Sequence, residues 1–391
     1  MSWPRDDVKM ARVRELMAAS DLDALVVRAP DNVLYLTNYW CMKGYDMAIF
    51  PREGTPTLIA LEPQEADARR MAWTDDIRFF RGYDERDPRP PTFRSMQLAL
   101  EVLRERGLGG RVGLELEQGT QSADRMVGEP TVFTRSYFEA FEGIAREVVD
   151  ASGLLAEARA IKTAQEIERM RLANELASLA MEHVREHLRP DMKECEAGAL
   201  WEGFVHSVGV GYQGKVEMAR GFSLVWSGPG IRTFTATGDR SIQEHEPTLF
   251  EIWVCADGYW SDLTKNVCPG QLSAPYERLL DQLLGVYQAA VNDLRPGASL
   301  AALDHSIREG LAAAGYPGQP SHPVAHGVGA RAHEPPYAHR AGEGIVKEGM
   351  VLAIEPGVYW PGGGGLRLED DYLVTATGAE RLSSFPDDFR R

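Results

Sequence analysis

Thr248 to Val267 reads TLFEIWVCADGYWSDLTKNV, and the reading of this stretch decides the fold of the second half of the chain. Two runs rich in β-branched and aromatic residues flank Asp257-Gly258, the commonest composition for a two-residue hairpin turn. Such a turn sets the register, so that Ala256 faces Tyr259 and Glu251 faces Thr264. Side chains alternate along a strand, so Glu251 shares a face with Trp253 and Cys255 and lies diagonal to Asp262 on the partner strand. Two carboxylates then enter one pocket. Buried without a counter-charge they would repel at a cost of roughly several kcal/mol, which a divalent cation reverses. An exposed hairpin with solvated acids is the alternative.

Downstream, Ser321 to Pro336 reads SHPVAHGVGARAHEPP and places His322, His326 and His333 within a short span of a chain that has only nine histidines. Gly327 and Gly329 would let backbone approach a ligand closely. Glu355, in GMVLAIEPGVYW, and Glu369, in GGGGLRLEDDYLVT, each lie in an apolar β-type run where a buried acid needs a partner. Arg367 shares a strand face with Glu369 and could simply neutralise it. Carboxylates with one imidazole suit manganese, iron, cobalt or zinc, and bridging carboxylates could hold two ions about 3.5 to 4 Å apart.

Farther out, 391 residues are too many for one ordinary domain. The first 150 residues alternate patterns of helix (6–19, 62–72, 93–106) and strand (23–28, and a hairpin over 47–61 turning at Glu53-Gly54). A second unit opens with a capping box, Thr163 to Glu166, ahead of a helix ending before Pro190; further helices follow Ser273 and Ser299. The expectation is an α+β protein, with an α/β domain over residues 1–155 and a catalytic domain over 156–391. Charged residues at 26% and no long apolar run describe a globular chain without a membrane helix, and the N-terminus lacks the apolar core of a signal peptide, so cytoplasmic residence is expected. A net charge of −16 disfavours nucleic acid as a partner. Cys41, Cys195, Cys255 and Cys268 form no CxxC pair and read as buried small hydrophobes.

The five candidate ligands, Glu251, Asp262, His326, Glu355 and Glu369, resemble in order and spacing those of the pita-bread metallopeptidases: prolidase, aminopeptidase P, methionine aminopeptidase, and the relatives creatinase and ectoine hydrolase. AHGVG, IEPGVY and GLRLEDD are similar to that family's GHGIG, its glutamate-proline-glycine turn and its GVRIED; DLDALVVRAPDNVLYLTNY resembles the creatinase-type N-terminal domain. The resemblance implies a creatinase-type domain followed by a pseudo-symmetric pita-bread domain, one or two divalent ions (Mn, Co, Zn or Fe) on those five residues, Glu355 as base and ligand, His333 at the scissile amide, His322 and Arg367 toward the substrate, and a homodimer. The implied reaction is hydrolysis of the bond before proline in dipeptides or short peptides.

Two departures bear on that. Glu251 stands where the family has aspartate, moving the carboxylate by about 1.5 Å, one C–C bond. The histidine the family carries some way before its first ligand is absent, and Phe234 or a neighbour stands there. A small non-peptide amide or betaine-like substrate, walled by Trp226, Trp253, Tyr259 and Trp260, is therefore the second reading. A catalytically silent, peptidase-like binding protein is the third.

Overall fold

The computed structural model describes residues 3–116, 134–360 and 362–390. It divides into two compact units, Met1–Arg159 and Ala160–Arg391.

The first unit is a six-stranded sheet of β1 (Ala24–Val27), β2 (Met47–Pro51), β3 (Thr57–Leu61), β4 (Ile77–Phe80), β5 (Arg111–Leu114) and β6 (Glu147–Asp150) in the order β4-β3-β2-β1-β5-β6. The first three strands pair antiparallel and the remaining pairings are parallel. Its central strands are apolar along their length because both faces are covered. Leu25, Val27, Ala48, Phe50, Leu58 and Ala60 enter one core, and Ala24, Val26, Met47, Ile49 and Ile59 enter the other. Asp6 caps the helix Asp7–Ala19 by accepting from the Lys9 amide. The helix Ser152–Ala160 contributes Leu155 and Ala158 to this unit's core, so the division falls at residue 159.

In the second unit β7 (Ala219–Ser227), β8 (Thr248–Ala256) and β9 (Tyr259–Val267) form an antiparallel sheet. The β8–β9 register is the one the turn dictates, with Glu251 opposite Thr264 and Ala256 opposite Tyr259. Asp257 and Gly258 adopt φ of 47° and 83°, the left-handed pair this turn requires and that an aspartate-glycine dipeptide tolerates. A second antiparallel sheet has the order β11-β10-β12-β15-β16, from β10 (Ala325–Gly327), β11 (Glu334–Tyr337), β12 (Val351–Ile354), β15 (Asp370–Val374) and β16 (Ala379–Arg381); β13 (Gly357–Trp360) pairs with β14 (Gly364–Arg367).

The helices Ala274–Asp293 and Leu300–Ala313 pack Leu279, Leu283, Leu303 and Ile307 against Leu352 and Ile354 of the five-stranded sheet. The helix Ala164–His187 begins on the expected capping box, in which Thr163 accepts from the Glu166 amide and Glu166 accepts from the Thr163 amide. Among the described residues no helix is long and apolar enough to cross a membrane. Cys41, Cys255 and Cys268 are buried, but Cys195 is exposed. It sits in the first turn of the helix Glu194–Gly209.

Candidate metal centre

Two seams bring the sheets of the second unit together. Thr264 on β9 and Glu369, in the break between β14 and β15, exchange backbone hydrogen bonds of 3.3 Å in both directions. The Trp260 amide, also on β9, donates to the Gly329 carbonyl at 2.9 Å. The first seam lays the hairpin across the break between β14 and β15 that carries Glu369, and the second lays it along the loop that carries His333.

Asp262, His326, Glu355 and Glu369 meet as a result. Asp262 is 1% exposed, and its Oδ2 lies 3.6 Å from His326 Nε2 and 3.3 Å from His333 Nε2. That oxygen accepts no hydrogen bond from the described residues although it is buried. His326 Nε2 is also 3.6 Å from Glu355 Oε1. His326 Nδ1 lies 3.0 Å from the Gly327 carbonyl, which can only accept, so Nδ1 carries a proton and Nε2 is the ring atom that would bind an ion among the carboxylates. Ligand-type atoms of Asp262, His326 and His333 lie within 4.8 Å of one another, as do those of His326, Glu355 and Glu369. A buried orphan oxygen, an imidazole fixed in the ligand tautomer and converging carboxylates are a donor set that fits a divalent ion of the borderline-hard class.

Arg367 is 2% exposed and organises the other side of the cluster. Its Nε donates to the Thr264 hydroxyl at 2.6 Å, and that hydroxyl donates to Glu369 Oε2 at 2.5 Å. Its Nη2 is 2.8 Å from Glu251 Oε2, closer than Nε is to Glu369 Oε2 at 3.5 Å. The expected neutralisation of Glu369 by Arg367 is thus secondary to a pairing with Glu251, reached across Thr264. His322 donates from Nδ1 to the Pro323 carbonyl at 2.6 Å, with Glu355 Oε2 3.2 Å away, and its Nε2 accepts from the Tyr359 hydroxyl at 3.0 Å.

Burial sets the proton affinities. It pushes Glu355 up to about 7, with Glu251 adding to the rise and His326 and Arg367 opposing it. It likewise pushes Glu369 up to about 7, reinforced by Glu355, and raises Asp262 well above the usual carboxylate range, reinforced by Glu369, Asp371 and Glu355. The same desolvation holds His322 down to about 4, aided by Arg367, and His333 well below the usual imidazole range, aided by His326 and Arg367. Both rings are therefore neutral near pH 7.

Several expectations are corrected by the packing. Glu355 follows the end of β12 and Glu369 precedes β15, so both lie at breaks between strands and not within them. The close approaches at Gly327 and Gly329 are made by protein: a Cβ would come within 2.6 Å of the Pro335 carbonyl oxygen at the first and 2.4 Å of Glu334 Oε1 at the second. Of the four aromatics, Trp226 packs with Ile231 and Leu249, and Tyr259 donates to Glu166 at 2.8 Å, while Trp253 lies 6.3 Å from the His333 ring. Phe234 is 76% exposed at a φ of 59° and meets the His322 ring edge-on at 6.4 Å.

Sequence reasoning passed over three residues. Thr264 was legible as the partner of Glu251 across the hairpin, but its hydroxyl bridge was not. Asp371 accepts from the Asp262 amide at 3.2 Å and from Asn174 at 2.9 Å, and so fixes the Asp262 backbone. Lys265, 1% exposed, pairs with Asp370 at 2.5 Å, one residue along from Thr264 and Glu369 respectively. No local signal marks these last two.

A two-domain chain with a buried acid and imidazole cluster at the seam of two antiparallel sheets defines the class of a metallohydrolase. Residues 168–376 match the model of metallopeptidase family M24 and residues 9–161 that of the creatinase/prolidase N-terminal domain, and the chain belongs to the M24 family. It is 27% identical over 395 residues to a putative dipeptidase, YkvY, of Bacillus subtilis, covering 97% of this chain and 98% of that one. It is 30% identical over 236 residues to an uncharacterized peptidase of Staphylococcus aureus, a match spanning 60% of this chain and 66% of the relative. An Xaa-Pro dipeptidase from Bacillus anthracis superposes with a TM-score of 0.81 at 22% identity, and the prolidase from Pyrococcus horikoshii with 0.79 at 23%, each over 98% of this chain and 99% of the other. At these identities the superpositions speak for the fold.

Proposed function

We propose that the protein hydrolyses the bond before proline in dipeptides or short peptides, using a divalent ion held by Asp262, His326, Glu355 and Glu369. The observation that carries this reading is the meeting of those four side chains around a bare His326 Nε2 and an unpartnered, buried Asp262 Oδ2. A divalent ion there would polarise the scissile carbonyl and make a water acidic enough to attack near neutral pH.

The side chains have distinct tasks. Glu355 takes the proton of the attacking water and returns it to the departing proline nitrogen. His322, held by Pro323 and Tyr359, fixes Glu355 Oε2. His333 stays neutral beside Asp262 and offers a ring N–H to the substrate amide without competing for the proton. Manganese is the proposed ion, because carboxylates outnumber imidazoles.

The test is a screen of Xaa-Pro dipeptides against their Xaa-Ala counterparts, longer Xaa-Pro peptides and small amides, with added manganese or cobalt. The expected result is kcat/KM for Xaa-Pro at least about 100-fold above Xaa-Ala, a discrimination that pocket shape and an unmet N–H together can supply. Turnover of small amides with inert Xaa-Pro dipeptides would instead favour the second reading, for which the exposed Phe234 beside His322 is the supporting observation.

The protein is further proposed to be cytoplasmic and to form a homodimer, the pairing supported by the match of residues 9–161 to the creatinase/prolidase N-terminal domain. Sedimentation at micromolar concentration should give about twice the 43.3 kDa chain mass; a species at the chain mass would refute the dimer.

A further inference from the structure

The carboxylate nearest Arg367 is not among those gathered around His326. Asp262, Glu355 and Glu369 belong to the atom groups gathered around His326, and Glu251 belongs to neither group. Glu251 Oε2 instead meets Arg367 Nη2 at 2.8 Å. We propose that the centre takes a single divalent ion, bounded by Asp262, His326, Glu355 and Glu369, and that the Arg367 guanidinium, paired with Glu251, stands in the position a second ion would need.

Three observations carry this inference, which rests on the metal-hydrolase reading above. Both candidate groups contain His326, and its Nδ1 is committed to the Gly327 carbonyl, so a single Nε2 lone pair serves them both. One lone pair binds one ion, so a second ion would rest on carboxylates alone. Next, one oxygen of each carboxylate on that side already faces a cation or a donor: Glu251 Oε2 lies 2.8 Å from Arg367 Nη2 in an ion pair, and Glu369 Oε2 accepts from the Thr264 hydroxyl at 2.5 Å with Arg367 Nε at 3.5 Å.

Finally, Arg367 is fixed in place. Its Nε donates to Thr264, its Nη1 to the Tyr359 hydroxyl at 3.3 Å, and the residue is 2% exposed. A guanidinium does not give up its charge, so a second divalent ion beside it would face a permanent cation in a poorly screened interior. The extra methylene of Glu251 is what carries its carboxylate to the guanidinium; an aspartate at this position would end about 1.5 Å short.

The experiment counts manganese on the full-length protein. Metal-stripped protein is dialysed to equilibrium against saturating Mn(II) and analysed by elemental mass spectrometry, with the electron paramagnetic resonance spectrum of the bound ion recorded alongside. One ion per chain, with the spectrum of an isolated Mn(II) and no exchange-coupled signal, is expected. Glu251→Gln, which keeps the side chain's length and removes its charge, should bind Mn(II) within about 100-fold of the parent affinity, the effect of a change outside the ligands themselves.

Two ions per chain, or an exchange-coupled spectrum, overturn the inference and leave the hydrolase reading standing. No bound ion overturns both. A Glu251→Gln protein that is folded by circular dichroism but binds more than about 100-fold more weakly makes Glu251 a ligand and overturns the inference alone. The parent protein's count decides the matter even if that variant does not fold.

Discussion

His326→Ala should lose the divalent ion and at least about 10³-fold in kcat/KM, because partners one step behind a ligand already cost 10- to 100-fold and this imidazole is proposed to bind directly. Its Nε2 lies 3.6 Å from both Asp262 Oδ2 and Glu355 Oε1. Removing it leaves Asp262, Glu355 and Glu369 in mutual repulsion, with Arg367 as a cation beside them. Protonation then replaces metal binding as the way the cluster avoids that repulsion. The fold should persist, since the ring contributes one backbone hydrogen bond and little of the apolar core. Elemental analysis and peptidase assays on protein checked by circular dichroism provide the measurement. A folded variant that retained a stoichiometric ion, or activity within tenfold of the parent, would remove His326 from the centre.

The second large effect is on stability, and it depends on pH. In the metal-free protein Glu355 and Glu369 are each held near 7, above the value of about 4.5 expected in the unfolded chain. Between those values the folded chain keeps protons that the unfolded chain has released, so the metal-free protein is favoured at the acid end and loses stability as pH rises toward 7. Each shift corresponds to about 3 kcal/mol, and the two groups interact, so their sum counts for less than twice that. A bound cation holds the same carboxylates ionised and reverses the slope, because protons now compete with the ion.

The gap in Tm between loaded and chelated protein should therefore widen from pH 5 to pH 7.5 and reach about 5 to 10 °C. Chelation also removes the ligand-linked stabilisation, which grows with the logarithm of free ion over Kd. Scanning calorimetry across that range is the direct measurement. Superimposed melting curves with and without chelator, on protein shown beforehand to contain metal, would mean that the acids do not form a cation site.

The local chemistry of the chain was legible where a few adjacent residues decide it. Asp257-Gly258 fixes the hairpin register through two positive φ values, so Glu251 opposite Thr264 could be written down from the sequence. Thr163 and Glu166 satisfy each other's amides three residues apart and start their helix for the same local reason. Helix ends at His187 and Ala313, before Pro190 and Gly315, likewise need no distant partner.

What the sequence left open concerns partners a hundred residues apart. Arg367 has Glu369 as a neighbour in the chain, yet its closest acid is Glu251, because the bridge of Thr264 to Glu369 lays the hairpin across its guanidinium. Gly327 and Gly329 look like room for a ligand until Pro335 and Glu334 fill it. The protonated nitrogen of His326 follows from the Gly327 carbonyl, and the orphan oxygen of Asp262 from the packing around it. The sequence by itself determined the turns, the caps and the order of the candidate ligands, since these follow from backbone preferences over four or five residues. Only the tertiary structure decided which charges pair and which lone pairs are left to bind an ion, because those depend on where two separately formed sheets meet.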